Sequence, residues 1–269
     1  MTSVPDGALV FHDWVTVLTT LPTLPLPLNS QRVALETERL IIRPLTEDDL
    51  PALHEMRLLP EVMRNTKQGT VDANIEYTRE RLIPFLPPND AASFNCAICI
   101  REAGDNKLIG IGGVHSFHSV FGWPELGYMF HSAHWGKGYA TEFVRGFLQL
   151  YSQLPRPSTP QPLRVTRVTL PAELAAKAGP GTHEQGNYEN DPEALAQTVT
   201  PDTVVVEEKL TAVVPDRNVE STRVITKGGF TEFMQYMEED KRLPGSGIEI
   251  LLRVYNFLPS RKESASAAA

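Results

Sequence analysis

Cysteine is nearly absent from this 269-residue chain, with only Cys96 and Cys99. Two cysteines exclude the disulfide framework of a small secreted domain. They lie in the alternating apolar run Phe94 to Ile100, which reads as a strand. A redox pair wants a turn at a helix start and a zinc site wants a second ligand pair, so these two read as small core residues. A basic surplus is also missing. The formal net charge is −8, which argues against a partner bound through a phosphate backbone, whose footprint is a basic face. No N-x-[ST] sequon occurs, in keeping with a cytoplasmic protein. No long apolar run survives inspection: the stretch from Ala8 to Leu28 holds Asp13, Pro22, Pro25 and Pro27 and lacks a basic flank, so it is neither signal peptide nor membrane span. It reads as a poorly regular arm. No internal repeat is visible and no G-K-[ST] occurs, which removes the P-loop nucleotide hydrolases.

What is present is ordinary globular composition, 41% hydrophobic and 22% charged. Arg39 to Arg43 reads as a first strand closed by Pro44. A helix follows, started by Thr46, Glu47, Asp48 and Asp49, with Pro51 in its first turn. Thr70 opens a second helix carrying Val71, Ile75 and Leu82 and ending before Pro84. The period then falls to 2. Phe94 to Arg101 and Lys107 to Phe117 form a hairpin around Gly104, Asp105 and Asn106, and Pro124 to His131 is a further strand. Ala140 to Tyr151 is a helix with an apolar stripe of Phe143, Val144, Phe147, Leu148 and Tyr151. From Pro155 to Thr203 no period is sustained, although Leu163 to Leu170 reads as an extra strand, and residues 171 to 200 read as loosely ordered. Regularity resumes with a strand over 204 to 214, a helix over 219 to 227 ended by Gly228 and Gly229, and a closing strand over 248 to 255. The division expected is an arm at 1–36, one domain at 37–258 with an insertion at about 155–203, and a disordered tail at 259–269.

The segment from Glu125 to Glu142 is a strand, a short loop and a helix start. Gly136 and Gly138 allow consecutive amides to turn into one concavity, to which the helix beginning near Ala140 adds its positive dipole end. A phosphate can approach where side chains are missing. Gly-x-Gly alone is weak. A dinucleotide fold requires a third glycine where Thr141 stands and an acid about twenty residues on, and neither occurs.

Trp135-Gly136-Lys137-Gly138-Tyr139-Ala140 resembles the pyrophosphate loop of the GNAT acetyltransferases, Q/R-x-x-G-x-G/A, with Trp135 departing from the first position. The longer string Trp135 to Glu142 is similar to the RimJ/RimL branch, which acetylates protein N-terminal amines and small amines. Asn218 to Phe230 resembles that branch's N-x-x-S-x-x-V-x-x-K-x-G-F, and Thr37 to Pro44 its T-E-R-L-x-L-R-P. The resemblance spans most of residues 37 to 255. It implies an α/β GNAT fold, a mixed twisted sheet with a splayed central strand pair flanked by helices. It also implies acetyl-CoA as co-substrate, its pyrophosphate on Trp135, Gly136, Lys137, Gly138, Tyr139, Ala140 and Thr141, and its pantetheine against the backbone of Tyr128, Met129 and Phe130. The acceptor is a small-molecule amine or a peptide N-terminus, the enzyme a monomer or homodimer, and no nucleic acid or membrane partner is expected.

Transfer from a thioester needs a neutral amine, a polarised carbonyl and stabilisation of the departing thiolate. The tyrosine that many GNAT enzymes use lies seven residues after the asparagine, and here that position is Ile225. The resemblance therefore shifts the acid to Ser221, with Asn218 as its pantetheine-binding companion; a helix-start pair is the alternative reading of both. Glu125 is either a base, directly or through water, or a solvated or salt-bridged strand end. His115 and His118 are further bases or structural histidines. Trp123, Tyr128 and Trp135 either line an acceptor pocket or belong to the core. No set of residues has metal-ligand spacing. A catalytically silent acyl-CoA-binding module is the first rival function, and an interaction protein whose function lies in the insertion is the second.

Overall fold

The computed structural model describes residues 13–103, 107–183 and 192–259. The expected turn at Gly104, Asp105 and Asn106 and nearly all of the 259–269 tail lie outside these residues. Among the described residues eight strands form one sheet. They are β2 (Leu35–Glu36), β3 (Leu40–Pro44), β4 (Phe94–Ile100), β5 (Leu108–Ser116), β6 (Glu125–Phe130), β8 (Leu210–Pro215), β9 (Thr231–Glu239) and β10 (Glu249–Phe257). Their spatial order is β2-β3-β4-β5-β6-β8-β10-β9, antiparallel throughout except where β6 runs parallel to β8. That junction is pinned at one end. Glu125 is in register with Thr211, whose amide and hydroxyl both bond the Pro124 carbonyl at 2.8 Å. No second register pair joins the two strands, so they diverge toward the end of β6.

Helices cover both faces. On one, α4 (Tyr139–Ser152) and α7 (Val219–Lys227) lay Phe143, Val144, Phe147, Tyr151 and Ile225 on Leu40, Ile42, Phe94, Ile98 and Leu126. The expected stripe of α4 is that buried face, although Leu148 is only partly covered. On the other face, α1 (Leu50–Arg57), α2 (Pro60–Met63) and α3 (Ile75–Leu82) pack Leu53, Met56, Val62 and Leu82 against Ala97, Cys99 and Leu108. Alternation along β4 sends Cys96 to the first core and Cys99 to the second, both buried and neither in a disulfide.

Three readings need correction. Helix α3 begins at Ile75 rather than Thr70, because the Asn74 side chain caps it by accepting from the Tyr77 amide at 2.9 Å. The segment before it is held instead by Asp72, which accepts from Arg57 at 2.6 and 2.9 Å and from Thr78 at 2.7 Å. The strand read over 204–214 starts only at Leu210. The arm, finally, is irregular only in part: residues 1–12 lie outside the described residues, but Trp14–Thr19 is a six-residue strand, β1, paired antiparallel with β7 (Gln161–Thr166) of the insertion, Trp14 opposite Thr166. Val15, Val17, Leu163 and Val165 close with Phe121, Trp123, Tyr236 and Val254 into a third core cluster. The Lys209 ammonium bonds the Thr169 carbonyl and lies over the rings of Trp123 and Phe233, at 5.8 and 5.5 Å. Within 171–200, which reads as loosely ordered, two short helices occur, α5 (Ala172–Lys177) and α6 (Pro192–Gln197); residues 184–191 lie outside the described residues.

Candidate active site

From the free end of β6 the chain makes one 3₁₀ turn, Ser132–His134, and reaches the glycine loop. Gly136 and Gly138 have φ of +72° and +83°, the left-handed region that favours glycine. A Cβ built at Gly136 would meet nothing within 4 Å, and one at Gly138 only Arg39 Nη2 at 3.4 Å, so the concave side of the loop is open. Gly138 is the N-cap of α4, and the helix's first intrahelical bond runs from the Glu142 amide to the Gly138 carbonyl at 3.1 Å. The amides of Tyr139, Ala140 and Thr141 precede it and have no intrahelical acceptor. Together with the dipole of a 14-residue helix they present a surface suited to an anion.

Two side chains fasten the loop to its own surroundings. The Trp135 indole N–H donates to the Phe130 carbonyl at 2.8 Å, tying the loop to the end of β6; the Lys137 ammonium turns back to the Ala133 carbonyl at 2.9 Å. The Phe130 carbonyl is thus engaged by Trp135, a bond that residue types alone do not foretell.

A third fastening comes from far away in the chain. Glu142 Oε1 accepts from the Thr37 hydroxyl at 2.6 Å and the Arg39 amide at 2.8 Å, and Oε2 from Arg39 Nε at 2.7 Å. Arg39 Nη1 also donates to the Lys137 carbonyl at 2.9 Å, and its guanidinium lies 4.8 Å from the Tyr139 ring centre. Burial works against ionisation of Glu142, but the bonds from Thr37 and Arg39 outweigh it and hold the carboxyl below its ordinary range. Two of the three motif blocks are therefore one unit in space. The sequence holds both blocks but not their contact.

On the other side of the splay, Asn218 caps α7, its Oδ1 accepting from the Ser221 amide at 3.1 Å. The Ser221 hydroxyl lies 2.8 Å from the Tyr128 hydroxyl of β6. Ile225, at the family's tyrosine position, is buried in the core and offers nothing to the splay.

Glu125, at the pinned end of β6, is buried rather than solvated, and His115 Nε2 approaches its Oε1 at 3.5 Å. Burial opposes the charge, yet the His115 contact and the fields of Lys67 and Lys241 leave its pKa below the ordinary value. Glu125 forms part of a cleft that Lys67, Arg217, Tyr236, Glu238 and Asp240 also line. His118 is not among its lining residues. Neither is Trp123, which is fully buried and donates to the Thr169 hydroxyl at 2.8 Å. Tyr128 packs partly buried against the first core, and Trp135 is 40% exposed on the loop. Among the described residues no group of three or more His, Cys, Asp or Glu is arranged to hold a metal ion, and no helix is long and apolar enough to cross a membrane.

Residues 39–231 match the family model of the acetyltransferase (GNAT) domain. The chain therefore belongs to the GNAT acetyltransferases, enzymes that move an acetyl group from acetyl-CoA to an amine. Solved structures agree on the fold. A GNAT-family acetyltransferase from Bacillus anthracis is 18% identical with a TM-score of 0.52, covering 84% of this chain and 99% of its own. Spermidine N-acetyltransferase from Vibrio cholerae, in complex with CoA and spermine, is 14% identical with a TM-score of 0.53, covering 83% and 97%. RimL, a ribosomal L7/L12 α-N-protein acetyltransferase in complex with coenzyme A, is 12% identical with a TM-score of 0.54, covering 84% and 98%. No curated protein matches the sequence.

Proposed function

We propose that this enzyme is a RimJ/RimL-type N-acetyltransferase acting on a primary amine of a small molecule or on a protein N-terminus. The observation that carries the site is the divergence of β6 from β8 beside an open, left-handed glycine loop at a helix start. Acetyl-CoA lies with its pyrophosphate on the amides of residues 136–141 and its pantetheine along Tyr128 and Met129, with Asn218 and Ser221 facing it across the gap. The Phe130 carbonyl is held by Trp135, so Phe130 contributes chiefly its amide and its ring. Trp135 serves the loop by fixing it, where the family has a polar side chain.

The acceptor amine enters from the cleft that contains Glu125. A carboxylate that stays ionised there attracts the amine and, as the neutral nitrogen bonds to the carbonyl carbon and its hydrogen becomes acidic, takes up that proton directly or through water. Ser221 stabilises the departing thiolate. The catalytic domain spans residues 37–258, with the arm and the 155–203 insertion as its additions. The enzyme works in the cytoplasm, as a monomer or homodimer, with neither metal nor nucleic acid.

The burial of Ile225 favours a second reading, a silent acyl-CoA-binding module, since no replacement side chain at that position faces the gap. Thiol release from acetyl-CoA, measured against a panel of primary amines and unblocked peptides, separates the two. Turnover with any acceptor supports the enzyme; micromolar binding of acetyl-CoA with no turnover across the panel supports the module.

A further inference from the structure

Tyr128 projects from the middle of β6 onto the first turn of α7. Its ring packs edge-on against Phe130 and Phe143, both at 6.3 Å between centres. Its hydroxyl lies 2.8 Å from Ser221 Oγ and 3.4 Å from the Ser221 carbonyl oxygen. Burial pushes the phenol well above its ordinary range, against the smaller opposing effect of the Ser221 bond. The phenol therefore carries its proton throughout the neutral range and has a hydrogen to give, although either hydroxyl can be the donor in this pair.

A serine hydroxyl has one hydrogen and two lone pairs. Of the two acceptors within reach of the phenol, Oγ is the nearer by a margin that decides a hydrogen bond. When Tyr128 fills one lone pair of Oγ, the hydroxyl of Ser221 rotates so that its own hydrogen points away from the phenol. Without Tyr128 that rotor is unconstrained, and part of its population offers a lone pair to the sulfur instead of a hydrogen.

We propose that Tyr128 is a positioning residue for acetyl transfer, donating to Ser221 Oγ so that the serine hydrogen is aimed at the departing sulfur. The inference rests on the proposed role of Ser221. In the step it serves, the amine nitrogen bonds to the thioester carbonyl carbon and the C–S bond breaks, its electron pair staying on sulfur. The amine proton leaves on the Glu125 side. Ser221 hydrogen-bonds the new thiolate, and both hydroxyls keep their protons.

The test is a double-mutant cycle of Tyr128→Phe and Ser221→Ala in the full chain. Phenylalanine keeps the ring contacts, so the fold is retained. Steady-state kcat, calorimetric Kd for acetyl-CoA and the melting temperature are read for all four proteins. Tyr128→Phe lowers kcat about tenfold, the worth of one such hydrogen bond, with Kd and melting temperature unchanged. The double variant has the kcat of Ser221→Ala alone, since a residue acting only through Ser221 has nothing left to position. A wild-type kcat in Tyr128→Phe, or losses that multiply in the double variant, overturns the positioning role and leaves that of Ser221 standing. Wild-type kcat in Ser221→Ala overturns the serine reading itself, and this inference with it.

Discussion

Arg39 and Glu142 face each other across the glycine loop, Arg39 Nε donating to Glu142 Oε2 at 2.7 Å while the Arg39 amide and the Thr37 hydroxyl hold Oε1. The first motif block thereby sets the angle at which α4 leaves the loop. Glu142→Gln breaks a charge-assisted set worth roughly 1–3 kcal/mol, toward the lower end because Arg39 is 41% exposed and solvent screens it. The melting temperature falls by about 2–4 °C for each kcal/mol lost, and affinity for CoA falls with it. The pKa of Glu142 is depressed in the folded protein. Its contribution is therefore complete above the unfolded value of about 4.3 and is lost as pH falls through the lower folded value. Melting curves of the two proteins from pH 7 downward should converge on the acid side; a gap that persists there would mean the charge is not what matters.

Gly138→Val replaces a left-handed residue with a β-branched one, for which φ of +83° is strained. The protein still folds, since the Cβ meets nothing nearer than Arg39 Nη2 at 3.4 Å, but the loop amides rotate and the phosphate approach narrows. Calorimetry should show acetyl-CoA affinity reduced at least tenfold. Undiminished affinity would move the pyrophosphate elsewhere.

Ser221→Ala removes a hydroxyl but leaves the Asn218 cap, which uses the Ser221 backbone amide. Helix α7 therefore keeps its start, and CoA, held by the loop, keeps its affinity. kcat is expected to fall about 10²-fold, the scale of an important proton or hydrogen-bond donor. Should kcat stay at the wild-type level, water or the substrate is the donor and Ser221 belongs only to the helix start.

Lys209 is buried, and that burial lowers its pKa to about 8. Between that value and the unfolded one of about 10.4 the unfolded chain binds the proton more strongly, so this residue makes stability rise with pH across that window. Urea denaturation at pH 7 and at pH 9.5 should show the rise in the native protein, superimposed on other titrations, and a smaller rise in Lys209→Met. An equal rise in both would place the effect on other groups.

Much of the fold is legible in the sequence because its signals are local. The α4 stripe, the strand alternation of β4 and β5 and the glycine loop each declare themselves within a few residues. What escapes is set by distant partners. Strand β1 has the right residue types, but its partner β7 lies about 150 residues away. Strand β9 escapes because it is an edge strand on which only Tyr236 is fully buried, so no apolar alternation marks it. Helix α3 starts late because an Asn74 cap overrides periodicity. At the site, the three motif blocks name Gly136, Gly138, Asn218 and Ser221. They give no hint that the Tyr128 hydroxyl meets Ser221, since strand alternation assigns a face and not a contact.

The pairing of β1 with β7 also has a cost in time. Residues 14–19 leave the ribosome about 150 residues ahead of their partner at 161–166. At about 5–20 residues per second, the first strand waits roughly 8–30 seconds with its ladder groups and its valines uncovered. The pair cannot form before residues 161–166 are made, and the third core needs Tyr236 and Val254 as well. During that interval the nascent chain, rather than the finished enzyme, is the form most exposed to chaperones and to aggregation.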